Sequence, residues 1–233
     1  RSEVDGIERI KFVTNYPKDM TVDLLETIRD LPKCSPYLHV PLQSGSDAIL
    51  QRMKRGYSVQ DYRDMMDRIG TILPAAAVAS DFITGFCGET AEDHQQSMDA
   101  LREFRFKNSF IFKYSERSGT KSAVMPHQVP REIKESRNQK LLHVLEKHSL
   151  ARNRSLVGTT QEVLIEGPAR KGNGMLMGRT RGYRKVVFRG SDHLIGELID
   201  IHISDATTTI LKGVSLTKER SLDRSLSATG EIS

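Results

Sequence analysis

Up to about residue 155 the chain alternates short β-rich runs with segments of helical period, and this alternation constrains the fold more than any single motif does. The β-rich runs fall at residues 8–14 (ERIKFVT), 37–43 (YLHVPLQ), 78–86 (VASDFITGF) and 109–114 (SFIFKY). Between them, Leu24, Leu25, Ile28 and Leu31 share one helical face after Thr21, a residue type that caps helices. Ser58 with Asp61, and Thr90 with Asp93, have the spacing of a capping box, and each precedes apolar residues at i, i+3, i+4. A long helix is expected over residues 131–155, carrying Ile133, Leu141, Leu142, Leu145 and Leu150. Strands separated by helices mean βαβ units and a parallel sheet. Four strands are too few to close a barrel of eight, so part of such a barrel, or an open sheet with exposed apolar edges, is expected.

From about Gly158 the period changes. Five short runs at residues 161–166, 175–181, 185–189, 197–204 and 207–216 are punctuated by Gly or Asp. They predict a small antiparallel five-stranded barrel of the oligonucleotide-binding kind. Residues 218–233 have little apolar content and are expected to be a disordered tail. The domain boundaries are therefore set at 1–155, 156–217 and 218–233. The chain opens on Arg1 rather than Met, the expected sign of a fragment or a truncated reading frame.

Composition narrows the classes of function. No run of 18 apolar residues is present, so no membrane partner is expected. Two cysteines without metal-ligand spacing argue against a disulfide framework and fit a reducing cytoplasm. The net charge of +5 favours a polyanionic partner such as RNA.

In parallel α/β sheets, ligands sit beyond the C-terminal ends of the strands. The four runs here end in Thr14-Asn15-Tyr16-Pro17, in Gln43-Ser44-Gly45-Ser46, in Gly85 with Gly88-Glu89-Thr90, and in Lys113–Thr120. One such end is ordinary turn chemistry, but four on one face predict a polar site. The glycines of GFCGET alone are weak evidence for phosphate binding, because no P-loop lysine follows. Asp81 lies inside an apolar run and needs partners there. His39 and Cys87 read as core residues, and no nucleophile triad or metal-spaced cluster stands out. In the second half, six of the seven residues Arg170, Lys171, Arg179, Arg181, Arg184, Lys185 and Arg189 lie within or beside two adjacent strands and their turn, a concentration that suits RNA backbone contact better than a merely solvated barrel surface. Tyr183 and Phe188 lie among them as candidates for stacking on a base, Phe188 equally for the core.

Residues 39–57 (HVPLQSGSDAILQRMKRGY), 80–90 (SDFITGFCGET) and 110–120 (FIFKYSERSGT) resemble the later barrel segments of the radical S-adenosylmethionine methylthiotransferases. Residues 157–216 resemble their C-terminal TRAM domain, a small RNA-binding barrel. The resemblance implies the second half of a (β/α) radical-SAM barrel followed by TRAM. It also implies methylthiolation at C2 of N6-isopentenyladenosine beside the anticodon, since Arg117 stands in YSER where the branch acting on a ribosomal protein has an acidic residue. A branch acting on threonylcarbamoyl-adenosine also has Arg there and stays open, as do the branch acting on a ribosomal protein and a non-catalytic RNA-binding remnant.

Carried onto these positions, Gln43, Ser44, Asp81, Thr84 and Gly85 would hold S-adenosylmethionine. Lys113, Arg117, Arg170, Lys171, Arg179, Arg181 and Lys185 would meet substrate tRNA at its anticodon stem-loop, with the enzyme monomeric and cytoplasmic. The family carries two [4Fe–4S] clusters, one on a CxxxCxxC motif absent here, so no metal ligand is assigned, and Cys34 and Cys87 cannot replace the missing thiolates.

Overall fold

The computed structural model describes residues 5–13 and 15–216. The expected tail, Arg1 and Thr14 lie outside the described residues. The first half is a three-stranded parallel sheet, not four-stranded, in the order β1 (Tyr37–His39), β2 (Ala77–Thr84), β3 (Asn108–Lys113). Residues 8–13 have strand composition, but among the described residues their backbone pairs with Lys33–Ser35 alone, through a bridge from Ile10 to Cys34. Without a longer neighbour, no ladder forms.

The run at 37–43 is strand for three residues only. Pro41 has no N–H for the ladder, and Gln43 turns to φ +74° before rejoining β2 through Gln43 N to Asp81 O (2.8 Å) and Ile83 N to Gln43 O (3.0 Å).

The caps read from sequence are present. Thr21 starts α1 (Val22–Asp30) by accepting from Leu24 N. Ser58 and Asp61 form a capping box on α3 (Val59–Ile72), and Thr90 and Asp93 another on α4 (Ala91–Phe104). A short α2 (Asp47–Arg52) starts from Ser46, and α5 spans Arg131–Arg154. These helices cover one face of the sheet. Phe82 of β2 meets Phe106, and Tyr62 of α3 meets Phe104 and donates to Val40 O at 2.7 Å. Four rings buried this deeply contribute several kcal/mol of apolar burial.

The other face lacks such a cover. Asp81 pairs in register with Phe110, and Ile83 with Phe112. Phe110 and Phe112 remain 48% and 53% exposed, as expected for part of a barrel.

The second half is a closed five-stranded barrel of β4 (Thr160–Pro168), β5 (Met175–Thr180), β6 (Lys185–Arg189), β8 (Leu211–Ser215) and β7 (Leu198–Ala206), in that spatial order. It is mixed rather than wholly antiparallel, because β8 leaves its hairpin with β7 and closes on β6 in parallel. Gly178 lets β4 and β5 cross closely: a Cβ there would stand 2.4 Å from Leu164 O. Phe188 is fully buried in the barrel core with Val163, Leu176 and Ile201, so it does not stack on a base.

His94 of α4 is 4% exposed, and neither ring nitrogen has a hydrogen-bond partner among the described residues. Burial, reinforced by Arg137 and Lys140, pushes its pKa from 6.5 down to about 4. The unfolded chain therefore takes up this proton before the folded one, and stability falls as pH drops from about 6.5 to 4. His94→Leu is expected to remove on the order of 2 kcal/mol of acid sensitivity in that window. Equal acid destabilisation of both proteins in urea titrations at pH 7 and pH 4.5 would rule His94 out as the cause.

Candidate substrate mouth and domain seam

Beyond the C-terminal ends of β2 and β3, a groove of about 480 Å³ is lined by Ile83, Phe112, Lys113, Tyr114, Arg117 and Thr120 among others. Lys113 and Arg117 are thus brought together, both exposed. Lys113 Nζ lies 3.3 Å from Glu135 of α5.

Asp81, the charged residue in an apolar strand, answers to His39: Nε2 lies 2.9 Å from Oδ1, across two adjacent strands of the open face. His39 is further placed edge-on to Phe110. Gln43 is nearly buried, and its Oε1 has no hydrogen-bond partner among the described residues.

Two predicted cofactor ligands turn elsewhere. Ser44 is fully buried, with its hydroxyl 3.3 Å from Ser97 Oγ and accepting from Ser46 N, so it organises the start of α2. Thr84 is 1% exposed and donates to Phe112 O at 3.3 Å, tying β2 to β3. Gly85 has φ +71° and gives its N–H to Glu89 Oε1 at 2.9 Å; a Cβ there would sit 2.3 Å from Lys134 Cγ of α5. Only Gly fits this turn.

The barrel docks at the opposite, N-terminal end of the sheet. Eight residues of β2 separate that seam from the groove, roughly 23 Å. Gly182 approaches Ala77, Lys107 donates to Tyr183 O at 2.6 Å, and Arg9 donates to Arg179 O (2.9 Å) and Glu162 (2.8 Å). Ser35 donates to Arg181 O. The basic residues of the barrel divide accordingly. Arg170, Lys171 and Arg189 lie at the outer end, and Arg179, Arg181, Arg184 and Lys185 at the seam. Arg181 departs from the expected RNA contact, since its guanidinium donates to Pro32 O (2.5 Å) and Cys34 O (3.3 Å). Arg179 pairs with Glu166 at 3.0 Å and lies over the Tyr183 ring at 4.1 Å.

Sequence reasoning missed Lys107 and the His39–Asp81 pair. Both are contacts between distant segments, and nothing local to Lys107 marks it beyond its place just before a strand.

The two halves match two known families. Residues 1–101 match the Radical SAM superfamily and residues 154–216 the TRAM domain. In fold, the chain is similar to coproporphyrinogen III oxidase (HemN) from Escherichia coli, a radical SAM enzyme, with a TM-score of 0.51 and 11% identity over 74% of this chain and 46% of that one. The stretch similar to the radical SAM superfamily thus precedes the stretch similar to the TRAM domain.

Its similarity to curated proteins is more particular. It is 56% identical over 220 residues to tRNA-2-methylthio-N(6)-dimethylallyladenosine synthase of Rhodopirellula baltica, covering 91% of this chain and 46% of the relative. It is 42% identical to the protein of the same name from Magnetococcus marinus, covering 90% of this chain and 48% of that protein. The chain spans about half the length of these relatives.

Proposed function

We propose that this chain is the C-terminal part of a tRNA methylthiotransferase that modifies C2 of N6-isopentenyladenosine next to the anticodon. The observation that carries the reading is 56% identity, running across both domains, to a protein named for that activity. The basic residues of the barrel other than Arg181 support tRNA as the partner, bound through its anticodon stem-loop in the cytoplasm.

S-adenosylmethionine, when bound, supplies the methyl group. Asp81 and Gln43 fit the nucleoside part of such a molecule. The Asp81 carboxylate, held by His39, accepts hydrogen bonds from hydroxyls or an exocyclic amine. Gln43 brings a buried carbonyl oxygen still lacking a donor. Ser44, Thr84 and Gly85 act by fixing the backbone around them. Lys113 and Arg117 flank the groove where an anionic tRNA backbone would approach.

The residues present do not fit an iron–sulfur cluster. No group of three or more His, Cys, Asp or Glu able to hold a metal occurs among the described residues, and both cysteines are buried. The proposal therefore assigns cluster ligation to residues outside this chain.

Mass spectrometry of tRNA hydrolysates from cells lacking the gene tests the reading. The expected result is loss of the methylthio nucleoside with accumulation of N6-isopentenyladenosine. Unchanged levels would overturn it, and loss of a methylthio-threonylcarbamoyl nucleoside instead would move the substrate to that branch.

A further inference from the structure

The seam between the sheet and the barrel gathers more basic side chains than it has carboxylates to pair with them. Lys107 is 8% exposed, and its ammonium has one recorded hydrogen bond, to a carbonyl. Arg184 donates to Asn153 Oδ1, and Arg152 to Arg105 O, both neutral acceptors. Among the described residues, no carboxylate forms an ion pair with Lys107, Arg184, Arg152 or Lys11. The ion pairs nearby belong to Arg9 with Glu162 and Arg179 with Glu166.

The strain is visible in the side chains' chemistry. Burial, with Arg184, Arg179 and Lys11 alongside, pushes Lys107 from 10.5 down to about 6. Burial and Arg152 push Arg184 down to about 10. Tyr183, which accepts from Lys107, holds a left-handed backbone at φ +62° with Lys11 Nζ 3.1 Å from its ring centroid and Tyr37 at 5.0 Å. A tyrosine at positive φ is uncommon and costs conformational energy, and such positions cluster at ligand sites.

These groups border a pocket of about 380 Å³, lined by Lys107, Arg179, Arg184 and Lys185 with the neutral Asn108 and Thr208. Phe110 stands on the same wall and is 48% exposed, continuing onto the open face of the sheet. Three cationic side chains and the nearly buried amine of Lys107, which a bound anion would hold protonated, surround one concavity and form a cradle for an anion with several acceptor oxygens.

We propose that this seam pocket binds a phosphate group of the RNA backbone, clamped between Lys107 of the first domain and Arg184 and Lys185 of the second. The inference rests on the RNA-binding reading above and deepens it. It makes the domain junction, and not the barrel surface alone, a contact point. A phosphate bound here also neutralises the repulsion between the domains, so that RNA binding stiffens the seam.

The test uses the full 233-residue chain with a short RNA hairpin the size of an anticodon stem-loop. Lys107→Met keeps an unbranched apolar side chain of similar length and removes the buried amine. Arg184→Gln keeps a donor for Asn153. Both are expected to fold, with melting temperatures no lower than that of the unsubstituted chain for Lys107→Met. Each should weaken hairpin binding about tenfold and lower the slope of log K against log salt by about one.

Inorganic pyrophosphate provides the second arm, read as a rise in melting temperature that Lys107→Met abolishes. Hairpin affinity unchanged in both variants would overturn the RNA assignment. If pyrophosphate still acted through Lys107 in that case, the ligand would be a free phosphate. With no pyrophosphate effect either, the pocket is not an anion site. If the unsubstituted chain fails to bind the hairpin while the pyrophosphate shift persists, the RNA reading falls and the anion pocket stands.

Discussion

Glu89→Ala is expected to destabilise the first domain by about 3–5 kcal/mol, the cost of leaving a buried charge without its partner. The Glu89 side chain is 1% exposed and that of Arg137 is 12% exposed, with 2.7 Å between Oε1 and Nη1. The same Oε1 accepts from Gly85 N, and Arg137 also donates to Glu89 O at 2.9 Å. Burial raises the pKa of the Glu89 carboxyl, against the lowering by the Gly85 N–H and the Arg137 charge, so the ion pair has already absorbed a desolvation cost. Removing the carboxylate leaves the guanidinium with a carbonyl but no counter-charge, and the turn amide with no acceptor.

Glu89→Gln keeps an acceptor for Gly85 and Arg137 while losing the charge, and is expected to cost less than half as much. Thermal unfolding followed by circular dichroism measures the difference, and amide exchange at Gly85 and Gly88 reports the local effect. A loss below 1 kcal/mol for Glu89→Ala, with the turn amides still protected, would mean the pair contributes little. The consequence reaches the candidate site, because this turn fixes Gly85 beside β2, where Asp81 and Gln43 stand.

What could be read from sequence follows from how local each signal is. The caps at Thr21, Ser58 and Thr90 depend on residues three apart, and all three are present. The barrel strands were legible because β-rich runs alternate with Gly and Asp. Their closure was not, since the parallel pairing of β6 with β8 joins segments 25 residues apart and leaves no pattern in either. Residues 8–13 failed for the reverse reason: composition favours a strand, yet a strand exists only where a neighbour supplies a ladder.

The site shows the same division. Asp81 was conspicuous as a carboxylate in an apolar run, but its partner His39 lies 42 positions away. The basic residues of the barrel were visible as a group. That Arg181 serves the seam and Arg170 the far end follows only from which way the barrel docks. Lys107 meets Tyr183 across 76 positions, and no short-range rule reaches that far.

Charge reversal at the barrel's seam end carries the largest expected effect on RNA binding. Arg179 and Lys185 face each other in register on β5 and β6, so Arg179→Glu with Lys185→Glu turns two cations into two anions at one place. Losing two phosphate contacts and adding repulsion is expected to weaken hairpin binding roughly 100-fold at low salt, with the salt slope reduced by about two. Arg179→Glu also sets a second carboxylate beside Glu166, which Arg179 now neutralises at 3.0 Å, and some loss of barrel stability accompanies it. The neutral pair Arg179→Gln with Lys185→Gln separates the two effects. It leaves Glu166 unopposed by a like charge and should still weaken binding about tenfold. Arg170→Glu with Lys171→Glu, in the loop between β4 and β5 at the far end of β5, reverses the same charge at the outer end. If RNA lies across the seam, the inner pair costs more than the outer one. Equal losses would spread the contact over the whole barrel, and unchanged binding of the inner double variant at moderate salt would remove the seam end from the RNA path.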